Sequence, residues 1–255
     1  MKIGVVGYGI IGGALVDWLT KNTRHNIAIL DIPKGIQNSF DDVDAIFLCV
    51  PVPTLPSREQ DISLIKESIM RFKNKDVPFF IRSTVLPGTA DMIGRLTGKT
   101  VVAMPEFLTE RTALDDFYKH NLICGSPNNW DKNIVSQIFN TKKILFMSNT
   151  EAEISKYAHN AFGAVKVNFF NIIYLLCKKH GAHYGNILEG VSVTGFIEKT
   201  HCQVPGPDGK YGYAGKCFPK DLKAFIGHLS KMMVMRSSLI ATEKENEIMR
   251  AEINA

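Results

Sequence analysis

Cys217-Phe218-Pro219-Lys220-Asp221 sets a thiol, an ammonium and a carboxylate side by side, the groups that covalent catalysis by a cysteine would need. The run stands where a glycine-rich stretch, Pro205-Gly206-Pro207-Asp208-Gly209 followed by Gly212-Tyr213-Ala214-Gly215, gives way to helical spacing at Leu222, Phe225, Ile226 and Leu229. Proline is comfortable only in the first turn of a helix, so Pro219 predicts a cap at or near Cys217. A thiol there is favoured as the nucleophilic thiolate by the helix dipole and by Lys220. Asp221 follows one turn on, on the same face. The competing reading is a buried, inert cysteine. Lys156 and Asn160, four residues apart within a helical pattern, would offer a cation and an amide donor to a developing oxyanion if buried, or would be surface residues if not. Glu106, Glu110 and Thr84 stand just beyond apolar runs and are candidate acid, base and hydroxyl groups, with solvated carboxylates and a turn hydroxyl as the alternatives.

A second chemistry is written at the start of the chain. The apolar run Lys2 to Val6 leads into Gly7-Tyr8-Gly9-Ile10-Ile11-Gly12, and Ile11, Leu15, Trp18 and Leu19 then repeat at helical spacing. Glycines at a strand-to-helix turn allow a tight bend, a close approach of the backbone to a pyrophosphate, and close packing of helix on strand. The first N–H groups of the helix and its dipole then hold the phosphates. A further strand, Asn26 to Leu30, ends in Asp31, about 20 residues beyond the glycines, where a carboxylate accepts hydrogen bonds from ribose hydroxyls and repels a 2′-phosphate. Gly7, Gly9, Ile10, Ile11, Gly12 and Asp31 are therefore assigned to a dinucleotide, NAD in preference to NADP, with Val50, Pro51 and Thr84 at neighbouring strand ends.

These residues need elements to position them. Strands are predicted over Ala45 to Val50, Pro78 to Arg82, Thr100 to Met104 and Leu122 to Gly125, with helices near Ile62 to Phe72 and Thr89 to Leu96. The stretch between Asp31 and Asp44 is too short for a crossover helix with its loops, so the sheet is expected to be trimmed after its second strand. Thr150-Glu151-Ala152-Glu153 matches a capping box, and Gly181 follows Lys178, Lys179 and His180, which predicts one long helix from about Glu151 to His180. Tyr157, Phe162, Phe169, Ile172 and Leu176 give it apolar surface for packing and for a partner subunit. The expected fold class is α/β: a Rossmann-type, doubly wound, mostly parallel sheet over residues 1–148, then an all-helical domain built on one long helix over residues 149–255.

Composition narrows the function. The chain has 255 residues, 45% hydrophobic and 22% charged, with a net charge of +5 spread along its length and not clustered with aromatics. That pattern argues against a nucleic-acid surface and suits an anionic small molecule. Five cysteines include no CxxC pair, which argues against a disulfide framework or a structural zinc, and no metal is expected. A first strand at Lys2 leaves no room for a signal peptide, and the most apolar window, Val167 to Cys177, is short for a membrane span. A soluble, cytoplasmic protein is expected.

Taken in order from Met1 to about Leu229, these segments resemble the UDP-glucose/GDP-mannose dehydrogenase family. The resemblance is carried by Gly7 to Gly12, Ser83-Thr84-Val85, Pro105-Glu106-Phe107-Leu108, Lys156 through Asn160-Ala161-Phe162, and Gly215-Lys216-Cys217-Phe218-Pro219-Lys220-Asp221, the last similar to the family's Gly-Gly-x-Cys-Phe-Pro-Lys-Asp motif. It implies four-electron oxidation of the C6 alcohol of a nucleotide sugar to a carboxylate, with two NAD molecules and an enzyme-bound thioester. By resemblance Cys217 is the nucleophile, Lys156 and Asn160 stabilise the oxyanion, Thr84 and Asp221 hold a water, and Glu106 is the base for thioester hydrolysis. Glu110, Lys156, Asn160, Gly215 and Lys210 would contact the substrate. Ala214 replaces a family glycine and Lys216 a small residue, which predicts altered sugar contacts in that loop. The family continues into a nucleotide-binding C-terminal domain, so the resemblance implies a short form, its nucleotide held by Lys210 and Tyr211 or by a second subunit of a homodimer, or else a different substrate. Two other readings remain at this point: a two-electron β-hydroxyacid dehydrogenase, which gives Cys217, Asp221 and Glu106 no role, and a non-catalytic NAD-binding protein.

Overall fold

The computed structural model describes residues 1–126 and 129–253. The chain forms two compact units, one of Met1–Leu55 with Gln60–Lys156, the other of Pro56–Glu59 with Tyr157–Ala255.

The first unit is built on one eight-stranded sheet. Its strands are β1 (Lys2–Val6), β2 (Asn26–Asp31), β3 (Ile36–Gln37), β4 (Ala45–Leu48), β5 (Phe79–Ile81), β6 (Val101–Ala103), β7 (Leu122–Gly125) and β8 (Ile144–Met147), and the sheet order is β3-β2-β1-β4-β5-β6-β7-β8. The pairs β1–β2, β1–β4, β4–β5, β5–β6 and β7–β8 are parallel, whereas β2–β3 and β6–β7 are antiparallel. The chain runs outward from β1 through β2 to β3 and then returns to the other side of β1 as β4. That reversal creates a switch point between β1 and β4, and ligands of open α/β sheets bind beyond the carboxyl ends at such a point.

The strands carry few polar residues because both faces of the sheet are covered. Helices α1 (Ile10–Asn22), α4 (Ala113–Lys119) and α5 (Asn129–Ile138) belong to one layer, where Trp18 packs on Phe117 and Phe139 at centroid distances of 6.0 and 5.4 Å. Helices α2 (Ser63–Arg71) and α3 (Thr89–Thr97) supply Ile65, Ile69, Ala90 and Ile93 to the other. No α-helix lies between β2 and β4: a single 3-10 turn, Ile32–Lys34, and the two-residue β3 fill the interval, as its length required.

The second unit is helical, with most of α6 (Asn149–His180), then α7 (Tyr184–Ser192), α8 (Phe218–Lys231), α9 (Ser237–Ile248) and a π-helical turn, Met249–Ile253. By length and composition α6 could cross a bilayer. It nevertheless buries Asn160, Asn168 and Asn171, and the Asn168 amide donates to the Thr242 carbonyl at 2.7 Å, which is the behaviour of a core helix in a helical unit.

The start of α6 differs from expectation. The reciprocal cap is formed by Ser148 and Glu151, not Thr150 and Glu153: the Glu151 carboxylate accepts from the Ser148 N–H at 2.7 Å and the Glu151 N–H donates to the Ser148 hydroxyl at 3.3 Å. Glu153 is drawn away by a stronger demand. Its carboxylate is buried and accepts the N–H groups of Gly88 and Ala90 at 2.6 and 2.8 Å, where it caps the N-terminus of α3.

Burial pushes the Glu153 carboxyl up to about 7, against the pull of the Ala90 and Gly88 N–H groups. A folded-state value above the unfolded one means that the folded protein holds the proton more tightly. The stabilisation is then complete below the ordinary glutamate range and is lost as pH rises through about 7. Between about pH 5 and pH 8 the melting temperature of the wild type should fall more than that of Glu153→Gln. Parallel melting curves for the two proteins would remove this linkage.

Candidate active site

The dinucleotide cradle lies in the first unit. Gly7 has φ +90°, and a Cβ there would stand 2.6 Å from the Cys49 carbonyl oxygen; a Cβ on Gly12 would stand 2.0 Å from the Gly7 oxygen. Only glycine allows β1, the turn and α1 to approach so closely. Gly9 has nothing within 4 Å of its would-be Cβ, and as the N-cap of α1 it makes no side-chain capping bond. Its open side and the first N–H groups of α1 fit a pyrophosphate. Asp31 closes β2, and its carboxylate is held in place by the N–H groups of Tyr8 at 2.7 Å and Lys34 at 3.1 Å. Tyr8, Gly9, Ile10, Glu110 and Arg111 line one cleft, so Glu110 sits beside the glycine turn.

Three more assigned groups follow the carboxyl ends of β4, β5 and β6. Val50 and Pro51 continue β4, and the Ser83 hydroxyl donates to the Val50 carbonyl at 2.5 Å. Thr84 is buried, and Gln60, which the sequence had not singled out, fixes its loop: the Gln60 amide donates to the Thr84 carbonyl at 3.1 Å and accepts the Leu86 N–H at 2.8 Å. Glu106 is 5% exposed, which removes the solvated-surface alternative. One of its oxygens accepts the Leu108 N–H at 2.5 Å and the other faces the Lys156 ammonium at 3.5 Å. Lys156 is itself 3% exposed and lies 5.3 Å from the centre of the Phe107 ring. The two side chains form a buried ion pair.

Arg82 is the second residue that sequence reasoning passed over, as the mere end of a strand. Its guanidinium is fully buried, donates to the Met104 carbonyl at 3.1 Å and lies 5.4 Å from the Phe117 ring, among Cys49, Cys124 and Glu106. Burial pushes the Cys49 thiol up to about 12, which keeps it protonated and unreactive.

The cysteine motif lies in the second unit. Cys217 is the N-cap residue of α8 with Pro219 in the first turn, as the proline predicted, and the Cys217 carbonyl accepts the Asp221 N–H at 2.9 Å. It is exposed, whereas Cys49, Cys124, Cys177 and Cys202 are buried. Asp221 is 1% exposed and accepts the Asn160 amide at 2.6 Å; its other oxygen is ion-paired with Lys220. Lys220 thus pairs with the carboxylate one helical turn beyond Cys217. His159 Nδ1 lies 2.9 Å from Asn160 Oδ1, which turns the amide so that its NH2 faces Asp221. Neither Lys156 nor Asn160 is a surface residue, and each has a carboxylate partner of its own.

Gly215 has φ +83°, and Lys210 is exposed in a turn in which its N–H donates to Asp208 at 3.1 Å. Phe218 is seated against α6 at Gly163, where a Cβ would stand 2.5 Å from its ring. A glycine-to-alanine change inside a helix ordinarily adds up to about 1 kcal/mol of stability. Here overpacking reverses the sign: Gly163→Ala should lower the melting temperature and slow alkylation of the adjacent Cys217. A rise in melting temperature with unchanged alkylation would show that Phe218 moves aside at no cost.

Likeness to known proteins decides the family. Residues 28–143 match the model of the UDP-glucose/GDP-mannose dehydrogenase family, NAD binding domain, and residues 150–247 match that of the family's central domain. The chain belongs to the UDP-glucose/GDP-mannose dehydrogenase family. NAD is the cofactor of the matched domain, and the cradle around Gly9 and Asp31 fits it. The chain is 30% identical over 225 residues to the UDP-glucose 6-dehydrogenase of Rickettsia typhi, covering 83% of this chain and 51% of that protein. It is 32% identical over 225 residues to that of Rickettsia prowazekii, again covering 83% and 51%. The chain therefore spans about half the length of the curated relatives it matches. The solved UDP-glucose dehydrogenase of the archaeon Pyrobaculum islandicum shares the fold, with a TM-score of 0.83 at 23% identity, covering 96% of this chain and 68% of that one.

Proposed function

We propose that the protein is an NAD-dependent nucleotide-sugar 6-dehydrogenase that oxidises a sugar C6 alcohol to a carboxylate in two hydride transfers. The observation that carries this reading is the exposed thiol of Cys217 at the cap of α8, one turn from a buried Asp221 held by Asn160 and Lys220. A two-electron oxidation of an alcohol has no use for that thiol, and neither does a scaffold.

The bound dinucleotide supplies the hydride acceptor for each oxidation, and the protein does the rest. The first oxidation leaves an aldehyde. The Cys217 sulfur adds to its carbonyl carbon, the oxygen takes a proton, and a thiohemiacetal forms. Loss of a second hydride and the hydroxyl proton leaves a thioester. Water then attacks, with Glu106 taking its proton and the Cys217 sulfur departing as thiolate. Lys156 and Asn160 stabilise the negative oxygen at each addition, and Thr84 and Asp221 orient the water. Glu110, Gly215 and Lys210 contact the substrate.

The Asp31 carboxylate disfavours a 2′-phosphate, so the preferred cofactor is NAD. The protein works in the cytoplasm as a homodimer without a nucleic-acid or membrane partner. Support for the dimer comes from α6, where Phe162, Phe169, Ile172 and Leu176 form an exposed apolar stripe at spacings of seven, three and four.

Incubation with NAD or NADP and a panel of UDP- and GDP-sugars, followed at the NADH band, tests the reading; light scattering on the same sample tests the dimer. NADH formation with a nucleotide sugar and a scattering mass of twice 28.4 kDa are expected. No turnover across the panel, a preference for NADP, or a monomer would each overturn the corresponding statement.

A further inference from the structure

The loop that leads to Cys217 is fastened by the last helical residues described. Asn246 in α9 is 9% exposed and accepts the Tyr213 N–H at 2.7 Å while donating to the Tyr213 carbonyl at 3.2 Å, so its amide grips one backbone residue at both polar groups. The approach needs Gly212, which has φ +77° and whose would-be Cβ lies 2.5 Å from Asn246 Oδ1; the Gly212 N–H donates to Asn171 of α6 at 3.1 Å. In the following turn Arg250 donates to the Tyr211 carbonyl at 3.2 Å and pairs with Asp208 at 2.6 Å. The Tyr213 ring is buried with Ala161, Ala164, Leu222 and Ile226. On the other side of the thiol, Phe218 is seated at Gly163. Cys217 thus lies in a short span, Ala214 to Cys217, strung between two fixed points.

Taking Cys217 as the nucleophile proposed above, we infer that Asn246 and Arg250 are positioning residues, a clamp on Tyr211 to Tyr213 that fixes where the thiol stands at the cap of α8. Their side-chain hydrogen bonds go to the loop, and neither is assigned to the chemistry or to the cofactor. Release of the clamp lets the Tyr213 end of the span drift, and the thiol moves off the helix axis where the dipole favours thiolate. A displacement on the order of 1 Å at a reacting atom can cost about 100-fold in rate.

The test uses iodoacetamide alkylation of Cys217 against pH alongside steady-state kinetics, in the full chain. Alkylation reads this thiol because the other four cysteines are buried. Asn246→Ala should raise the pH midpoint of alkylation by about half a unit or more and lower kcat at least about tenfold, while the Kd for NAD stays within about twofold. Asn246→Asp, which keeps the acceptor for the Tyr213 N–H, should recover part of both. Should Asn246→Ala fail to fold, Arg250→Met, which cuts only the Tyr211 and Asp208 bonds, decides by the same two readouts. Wild-type alkylation midpoints in the folded variants overturn the clamp. If the wild type turns over no nucleotide sugar yet the midpoints shift as stated, the dehydrogenase reading fails and the clamp stands.

Discussion

Cys217→Ala is expected to yield no sugar carboxylate and at most one NADH per sugar, with the rate of acid formation at least about 1,000-fold below wild type. The size of the effect follows from the lack of a substitute. Cys217 is the exposed cysteine and the cap of a helix, and the nearest alternative in character, Cys49, is buried and held protonated by a thiol value pushed up to about 12. Alanine cannot form a covalent adduct with the aldehyde, so the second hydride has no thiohemiacetal to leave. NAD binding should be unchanged, because Gly7, Gly9, Gly12 and Asp31 belong to the other compact unit. Isothermal titration with NAD and product analysis after exhaustive reaction check the two halves separately. Loss of NAD affinity in this variant would show that the thiol serves the cofactor site and not the sugar.

Glu106→Gln is expected to arrest the enzyme one step later. The carboxylate is buried, 3.5 Å from the Lys156 ammonium, so glutamine removes the proposed base and also strands a buried cation. Removing one partner of such a pair costs about 3–5 kcal/mol, and the variant should melt at a lower temperature. Below that temperature both oxidations can proceed, since neither needs Glu106 as a base, but hydrolysis should slow by about 100-fold to 10,000-fold. The acyl group then stays on Cys217. A rapid burst of two NADH per active site followed by a slow phase is expected, with an intact-protein mass raised by the acyl nucleotide sugar. Prompt turnover without a mass increase would place the base elsewhere.

Much of this was legible in the sequence for reasons that can be named. Glycine spacing, a proline in a first turn and a carboxylate at a strand end each answer a local backbone demand, and so Gly7 to Gly12, Cys217 and Asp31 stand where their types predicted. Short polar-flanked elements were not legible. The strand β8 is only partly buried and lacks a strict alternation, and β3 has two residues, too few to show any period. The residues missed around the site, Gln60, Arg82, His159, Gly163 and Asn246, act through contacts with residues far along the chain or through a neighbour's orientation. An isolated Arg at the end of an apolar run carries no sign that it will be buried beneath Met104 and Phe117. The misread cap at α6 has the same origin: Glu153 satisfies the local pattern, but the unpaired N–H groups at Gly88 and Ala90 claim it through tertiary structure.

The central claim is that the thiol makes this a four-electron enzyme, and the ratio of NADH formed to sugar consumed tests it most directly. The wild-type protein, given a limiting amount of whichever nucleotide sugar it turns over and an excess of NAD, should produce two NADH for each sugar consumed and one carboxylate, the aldehyde never accumulating. One NADH per sugar with an aldehyde or ketone as the final product would contradict the account, whatever the role of Cys217.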